Sequence, residues 1–288
     1  MMTRLYDAHN HLQDPRFPKD IEVLVAEAAD QGVQRMVVNG CRESDWGDVL
    51  ALARRFPAVL PSFGCHPWYV EERSQDWETR LIWYLDQVPS AVGEIGLDRW
   101  KCEQTLEVQK EVFNRTLRLA AARDLPVSIH CLKAWGCLYD LLRSQPLPRR
   151  GFMLHSYGGP EEMVKPLAGL GAYFSFPGDF AHDRRSRQRH AFLEVPRDRL
   201  LIETDAPDQL PPLSLTGFPL VEAATGKALN HPANLRAVYQ FAARMWGEEE
   251  DLFAARVEVN FLRLFGGYQT SQASVEPCET SALAGPRK

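Results

Sequence analysis

YDAHNH, residues 6–11, places an aspartate and two histidines at every second position. Side chains along a β-strand point alternately to opposite faces, so in a strand over 4–11 Asp7, His9 and His11 share one face. Two imidazoles on one face at the end of a strand can grip a metal ion. A single strand histidine is more often a hydrogen-bonded core residue, so the pair acquires meaning only through partners elsewhere in the chain.

Seven further apolar runs have strand character: RMVVNG (35–40), VLPSFGCH (59–66), AVGEIGL (91–97), PVSIHC (126–131), GFMLH (151–155), AYFSF (172–176) and LLIETD (200–205). Amphipathic segments lie between them, among them 21–30, 45–55, 77–87, 103–123 and 135–143. Strands that alternate with helical crossovers imply a parallel sheet. Eight such units in 288 residues fit a closed (β/α)8 TIM barrel, an α/β fold, better than an open doubly wound sheet. Periodicity alone leaves the open form standing. The Pro/Gly-rich loop 207–230 is expected to form part of a site wall, and 234–246 and 248–264 read as closing helices. One barrel domain is expected over 1–268, with the polar, aperiodic segment 269–288 as a disordered tail.

Composition sets limits on function. Apolar residues make up 45% and charged residues 25%, an ordinary globular balance. No apolar run reaches the roughly 18 residues that a membrane span needs, so no membrane partner is expected, and the first residues do not read as a signal peptide. The cysteines, at 41, 65, 102, 131, 137 and 278, have no paired spacing, which suits reduced thiols in a cytoplasm. A net charge of −5 argues against broad electrostatic binding of nucleic acid, and leaves room for a narrow, metal-mediated grip on a phosphate.

The predicted strand ends supply the partners that YDAHNH requires. His9 and His11 close the first strand, His66 the third, His130 the fifth, His155 the sixth and Asp205 the eighth, with Glu94 inside the fourth. A barrel of this kind builds its active site at that rim, from the ends of several strands. Seven ionisable residues there have no bland joint explanation, because burying them unpaired is costly. Imidazoles and carboxylates suit zinc, manganese, iron or nickel. Six nitrogen and oxygen ligands are too many for one ion that keeps an open position, so two ions bridged by one carboxylate are expected. Glu94, central in the strand order, is the best candidate for the bridge.

The set DAHNH (7–11), GCHPW (64–68), GEIGLD (93–98), IHC (129–131), LHSYGG (154–159) and ETDAP (203–207) resembles, in order and spacing, the TatD family of metal-dependent deoxyribonucleases. The resemblance spans roughly residues 4–265. It implies a barrel of the amidohydrolase-like metal hydrolases and a phosphodiesterase, with 3′–5′ exonuclease-like action on DNA or another phosphodiester. It implies two divalent ions, zinc, magnesium or manganese, with His9, His11, Glu94 and Asp205 on one and Glu94, His130 and His155 on the other. Asp205 and Glu94 would be catalytic, with Asp205 orienting or deprotonating the water. His66 would contact the substrate phosphate, and Asp7 would support a histidine from behind. A monomer is the default expectation.

Two motifs depart from the family's pattern. HSYGG stands where HCFSG is common, and LNHPA (229–233) replaces an RNEPA-like motif, with Leu229 and His231 at the changed positions. These changes point at the substrate rim, and therefore at DNA against a smaller ester. HDRRSRQRH (182–190) reads either as a phosphate-contacting patch or as the solvated start of a helix, the latter favoured. Trp68 and Trp100 could stack on bases or pack under loops. Alternation turns Cys65 and Cys131 away from the site, as core residues. A carbamylated Lys133 is not expected where Glu94 occupies strand four. Two other readings stay open: a hydrolase of amides, lactones or small phosphoesters, and a binding protein with a vestigial site.

Overall fold

β-branched and aromatic runs punctuated by glycine and proline become eight strands. They are β1 (Leu5–Asn10), β2 (Val33–Asn39), β3 (Val59–Phe63), β4 (Ala91–Asp98), β5 (Val127–Leu132), β6 (Phe152–Leu154), β7 (Ala172–Pro177) and β8 (Leu200–Glu203). A computed structural model describes residues 2–266 apart from Lys19, so the tail expected at 269–288 lies outside the described residues. The strands pair in chain order and all in parallel. Helices α1 (Ile21–Asp30), α2 (Trp46–Arg55), α3 (Trp77–Leu85), α4 (Leu106–Arg123), α5 (Trp135–Ser144), α6 (Val164–Gly169) and α7 (Ser186–Leu193) return the chain between strands. Then α8 (Leu235–Trp246) and α9 (Glu250–Phe265) complete the TIM barrel. α6 escaped the sequence reading because six residues around Pro166 are too few to show a helical period.

Two backbone hydrogen bonds close the cylinder at its rim: Asp205 N–H donates to the His9 carbonyl at 2.9 Å and His11 N–H to the Ala206 carbonyl at 2.8 Å. The strand alternation then sorts the core into two bodies. Met36, Val38, Phe63 and Ile129 face outward into the layer shared with the helices. Val37, Leu60, Met153, Tyr173 and Leu201 face inward, and Phe261, Leu264 and Phe265 of α9 join them. The last helix is thus packed into one apolar body with the barrel's interior, away from the polar rim.

Asp7 does not share a face with His9 and His11. β1 breaks register against β2 between Asp7 and Asn10, so Ala8 and His9 both turn inward and Asp7 turns out towards β8. Its buried carboxylate accepts the Thr204 N–H at 2.9 Å, the Thr204 hydroxyl at 2.6 Å, the Asn10 amide at 3.0 Å and the His9 N–H at 3.3 Å. Asp7 touches no imidazole; it fastens the closing seam. Asp7→Ala leaves these donors buried without an acceptor, each worth about 1–3 kcal/mol. The variant is expected to lose about 3 kcal/mol or more in urea denaturation; a loss within experimental error would show that the seam does not depend on this carboxylate.

Candidate metal centre

The residues that alternation turns inward at the strand ends converge on Glu94. Ser128 and His130 come from β5, His155 follows β6, and Glu203 and Asp205 sit two apart at the end of β8. Gly96 lets β4 and β5 approach: a Cβ there would stand 1.9 Å from the His130 carbonyl oxygen. Glu94 is 2% exposed, and its two oxygens face different partners. Oε2 lies 3.3 Å from His9 Nε2 and 3.4 Å from His11 Nε2, which are 3.2 Å apart. Asp205 Oδ1 completes this set at 3.7 and 3.4 Å from the same nitrogens. Oε1 lies 3.1 Å from His130 Nδ1 and 2.9 Å from His155 Nε2, themselves 3.2 Å apart.

These spacings fit a metal. Four ligands at about 2.0–2.1 Å around a tetrahedral ion stand about 3.3 Å from one another. Glu94 Oε1 is also buried without a hydrogen-bond partner, an orphaned acceptor that a cation would satisfy. Sulfur is close as well: Cys41 Sγ lies 3.6 Å from His11 Nδ1, and Cys41, His11 and Glu94 place potential ligand atoms within 4.8 Å of one another.

The second nitrogen of each ring fixes the lone pair. His11 Nδ1 lies 2.9 Å from the Asn39 carbonyl, which can only accept, so Nδ1 carries the hydrogen and Nε2 presents its lone pair. His9 Nδ1 meets the Ser128 hydroxyl at 2.9 Å. His130 Nε2 faces Asp98 Oδ2 at 3.3 Å, and His155 Nδ1 faces Glu203 Oε1 at 3.7 Å. His66 differs. Its Nδ1 accepts the Trp68 backbone N–H at 3.1 Å, so its hydrogen sits on Nε2, which points at Glu94 Oε1 from 3.5 Å. His66 enters the centre as a donor.

Electrostatics follow from burial and the imidazole shell. Burial raises the Glu94 carboxyl, but His155, His66, His9 and the adjacent His130 ring outweigh it and hold the group well below the usual carboxylate range. Burial lowers His66 well below the usual imidazole range, which keeps it neutral. Burial also works against a proton on His155, yet Glu94 and Glu203 raise it well above that range. A pocket that attracts a proton so strongly attracts a metal cation through the same carboxylates.

The structure brings together all seven residues that the sequence singled out, and adds Asp98 and Glu203. Both are fully buried. Period two would have found them, since Asp98 follows Glu94 by four residues and Glu203 precedes Asp205 by two. Glu203 also accepts from the Ser156 N–H and hydroxyl and from Ser175, so the serine of HSYGG anchors the carboxylate behind His155. The changed positions of LNHPA do not touch the substrate rim, contrary to expectation. Leu229 and His231 are buried, and His231 pairs with Glu27 of α1 at 3.0 Å. Lys133 is exposed and plays no part in the centre. Cys65 and Cys131 are buried in the outer core, as alternation required.

The centre opens into a cleft of about 890 Å³. Trp68 is fixed there by Nε1–H donation to Asp98 at 2.6 Å, whereas Trp100 stands 59% exposed at the mouth. Asp208 to Pro211 and Leu213 form one wall, the part expected of loop 207–230, whose remainder forms a small hairpin, Leu220–Val221 with Ala228–Leu229. Among the described residues no helix is long and apolar enough to cross a membrane.

Comparison with known proteins agrees with this geometry. A family model described as TatD related DNase matches residues 6–266. The uncharacterized metal-dependent hydrolase YjjV of Escherichia coli is 30% identical over 268 residues, covering 92% of this chain and 99% of its own. The 3′-5′ ssDNA/RNA exonuclease TatD of the same organism is 31% identical, covering 91% and 99%. The crystal structure of YjjV superposes with a TM-score of 0.83 at 29% identity, over 93% of this chain and all of its own. A TatD family hydrolase from Entamoeba histolytica shares the fold, with a TM-score of 0.79 at 19% identity over 93% of this chain and 100% of its own. With the barrel, the convergent imidazoles and carboxylates and this likeness along nearly its whole length, the chain belongs to the TatD-related DNase family and is a metal-dependent hydrolase of ester bonds.

Proposed function

We propose that the cleft hydrolyses phosphodiester bonds of single-stranded DNA from the 3′ end, using a pair of divalent ions. The observation that carries this reading is Glu94, each of whose oxygens faces its own imidazole pair at coordination spacing. His9, His11, Glu94 and Asp205 would hold one ion, and Glu94, His130 and His155 the other. Imidazoles suit zinc or manganese better than magnesium, which prefers oxygen and water. Such ions, when bound, supply Lewis acidity that lowers the pKa of water and offsets charge growing on the phosphate.

The chain's own groups do the rest. Asp205 lines the cleft beside His9 and His11, where its carboxylate can orient the attacking water and take its proton. His66 offers Nε2–H to a phosphate oxygen. Glu94, ionised, holds both donor sets in register. All seven residues come from one chain, so a monomer suffices, and five free cysteines among the described residues suit a reducing cytoplasm. The strand polarity rests on the TatD relatives' name, 3′-5′ ssDNA/RNA exonuclease, and the choice of DNA on the family's description as a DNase.

Metal-reconstituted protein offered single-stranded DNA, an abasic duplex, a generic phosphodiester and a lactone tests this reading. Shortening of the single strand from its 3′ end is expected; cleavage of the lactone with DNA left intact would overturn it.

Elemental analysis after reconstitution is expected to approach two equivalents of metal. Glu94→Ala should weaken both ions, whereas His9→Ala should deplete one and His155→Ala the other. Saturation of wild-type protein at one equivalent with every metal would refute the bridged pair.

Asp205→Asn keeps the shape and one oxygen donor but cannot take a proton. Turnover is expected to fall by about 10²–10⁴-fold with the metal retained. Near wild-type turnover at full metal occupancy would remove Asp205 from the chemistry.

A further inference from the structure

Four arginines line the cleft, and their carboxylate partners are unevenly shared. Arg16 bonds both Asp14 and Asp208. Arg42 lies 3.6 Å from Glu72. Arg184 and Arg185 share the single carboxylate of Asp179, Arg184 through Oδ1 and Arg185 Nε at 2.6 Å from Oδ2. Counted by charge, the Arg16 group carries one excess negative, the Arg42 pair is neutral, and the Asp179 group carries one excess positive. Among these three arginine groups, the surplus of positive charge therefore sits between β7 and α7.

This group is built rather than incidental. Asp179 is 5% exposed, so two guanidinium groups are drawn onto a carboxylate that would otherwise be buried uncompensated. Arg189 donates to the Phe180 and His182 carbonyls and fixes the same turn. Asp183, the neighbouring acid, does not line the cleft. Each guanidinium has five N–H donors in a planar fork, and the hydrogen bond from Arg184 and the ion pair of Arg185 with Asp179 engage few of them. The remainder suit phosphate oxygens.

We propose that Arg184 and Arg185, positioned by Asp179, bind a phosphate of the substrate strand other than the one being cleaved. The cleft would thereby select an oligonucleotide over a diester with a single phosphate. The proposal rests on the phosphodiesterase reading above and names its substrate class: a strand with at least one phosphate beyond the scissile one. The HDRRSRQRH segment then serves both as a helix start and as a phosphate contact, with Arg184 and Arg185 on the cleft and Arg187 turned away from it.

The test uses the full-length metal-loaded protein and the double variant Arg184→Ala/Arg185→Ala. Both side chains are at least partly exposed, so the fold should survive. Binding of a short fluorescein-labelled oligothymidylate, read by anisotropy, is expected to weaken by about 10–100-fold, the usual worth of a charge-assisted hydrogen bond. The slope of log affinity against log salt should drop by about 0.7, one phosphate contact on a single strand. The ratio of kcat/KM for the oligonucleotide to that for bis(p-nitrophenyl) phosphate should fall about tenfold or more. Asp179→Asn keeps both cations but frees them, so affinity should fall while the salt slope stays. Equal affinity and slope in wild type and double variant would overturn the clamp, whether or not DNA is cleaved. Weakened binding in the variant with no cleavage by wild type would support the clamp and overturn the nuclease reading alone.

Discussion

A single buried carboxylate organises the rim of this barrel. Glu94 is enclosed by imidazoles from β1, β3, β5 and β6, and its negative charge is tolerable only because they surround it. Those imidazoles reach it only if the strands end at the right height and the cylinder closes. Closure in turn relies on the seam between β1 and β8, where Asp7 gathers donors from both strands. Asp7 faces outward by alternation with Tyr6, and the register break that follows it lets His9 turn inward beside Ala8. Stability at the seam and chemistry at the centre thus meet within three residues of one strand.

The rings around Glu94 are backed in two different ways. His9 and His11 rest on neutral groups, the Ser128 hydroxyl and the Asn39 carbonyl, while Asp205 adds a carboxylate directly to their set. His130 and His155 have no such neighbour in front and instead have carboxylates behind, Asp98 and Glu203. Each half of the centre therefore draws on negative charge beyond Glu94, delivered directly in one half and through the ring in the other. His66 stands apart because a backbone N–H occupies its Nδ1, which leaves a donor where its neighbours present lone pairs.

Much of this was legible in the sequence because it depends on period two. Alternation places His130 inward and Cys131 outward, and Asp205 inward with Leu201, without any knowledge of tertiary contacts. What alternation cannot show is where it fails. The break between Asp7 and Asn10, and the matching one between Val92 and Ile95, reset the faces of β1 and β4, so alternation misplaces Asp7, while Glu94 is found by its central place in the strand order and not by its face. Asp98 and Glu203 lay within reach of the same rule but were passed over, because a carboxylate behind a histidine has no signature until the histidine's ring nitrogens are located. Leu229 and His231 mislead for the opposite reason. Asp208 to Pro211, near the start of the same loop, border the cleft, but the loop folds back so that His231 meets α1 instead.

An acidic chain that acts on a polyanion needs its positive charge in the right place more than it needs an excess. The net charge of −5 is a sum over the whole surface, whereas a strand in the cleft meets only the lining within about a Debye length. There, Asp14 and Asp208 lock Arg16 in an acid-rich group, while Asp179 gathers two arginines at the cost of one carboxylate. Such an arrangement offers a strand one group with surplus positive charge and another with surplus negative charge within a single lining, and so sets where in the cleft a phosphate is received. A uniformly basic cleft would bind more tightly but would not distinguish one approach from another. Few contacts, unevenly placed, are what a net-acidic protein can use to set where a polyanion lies in its cleft.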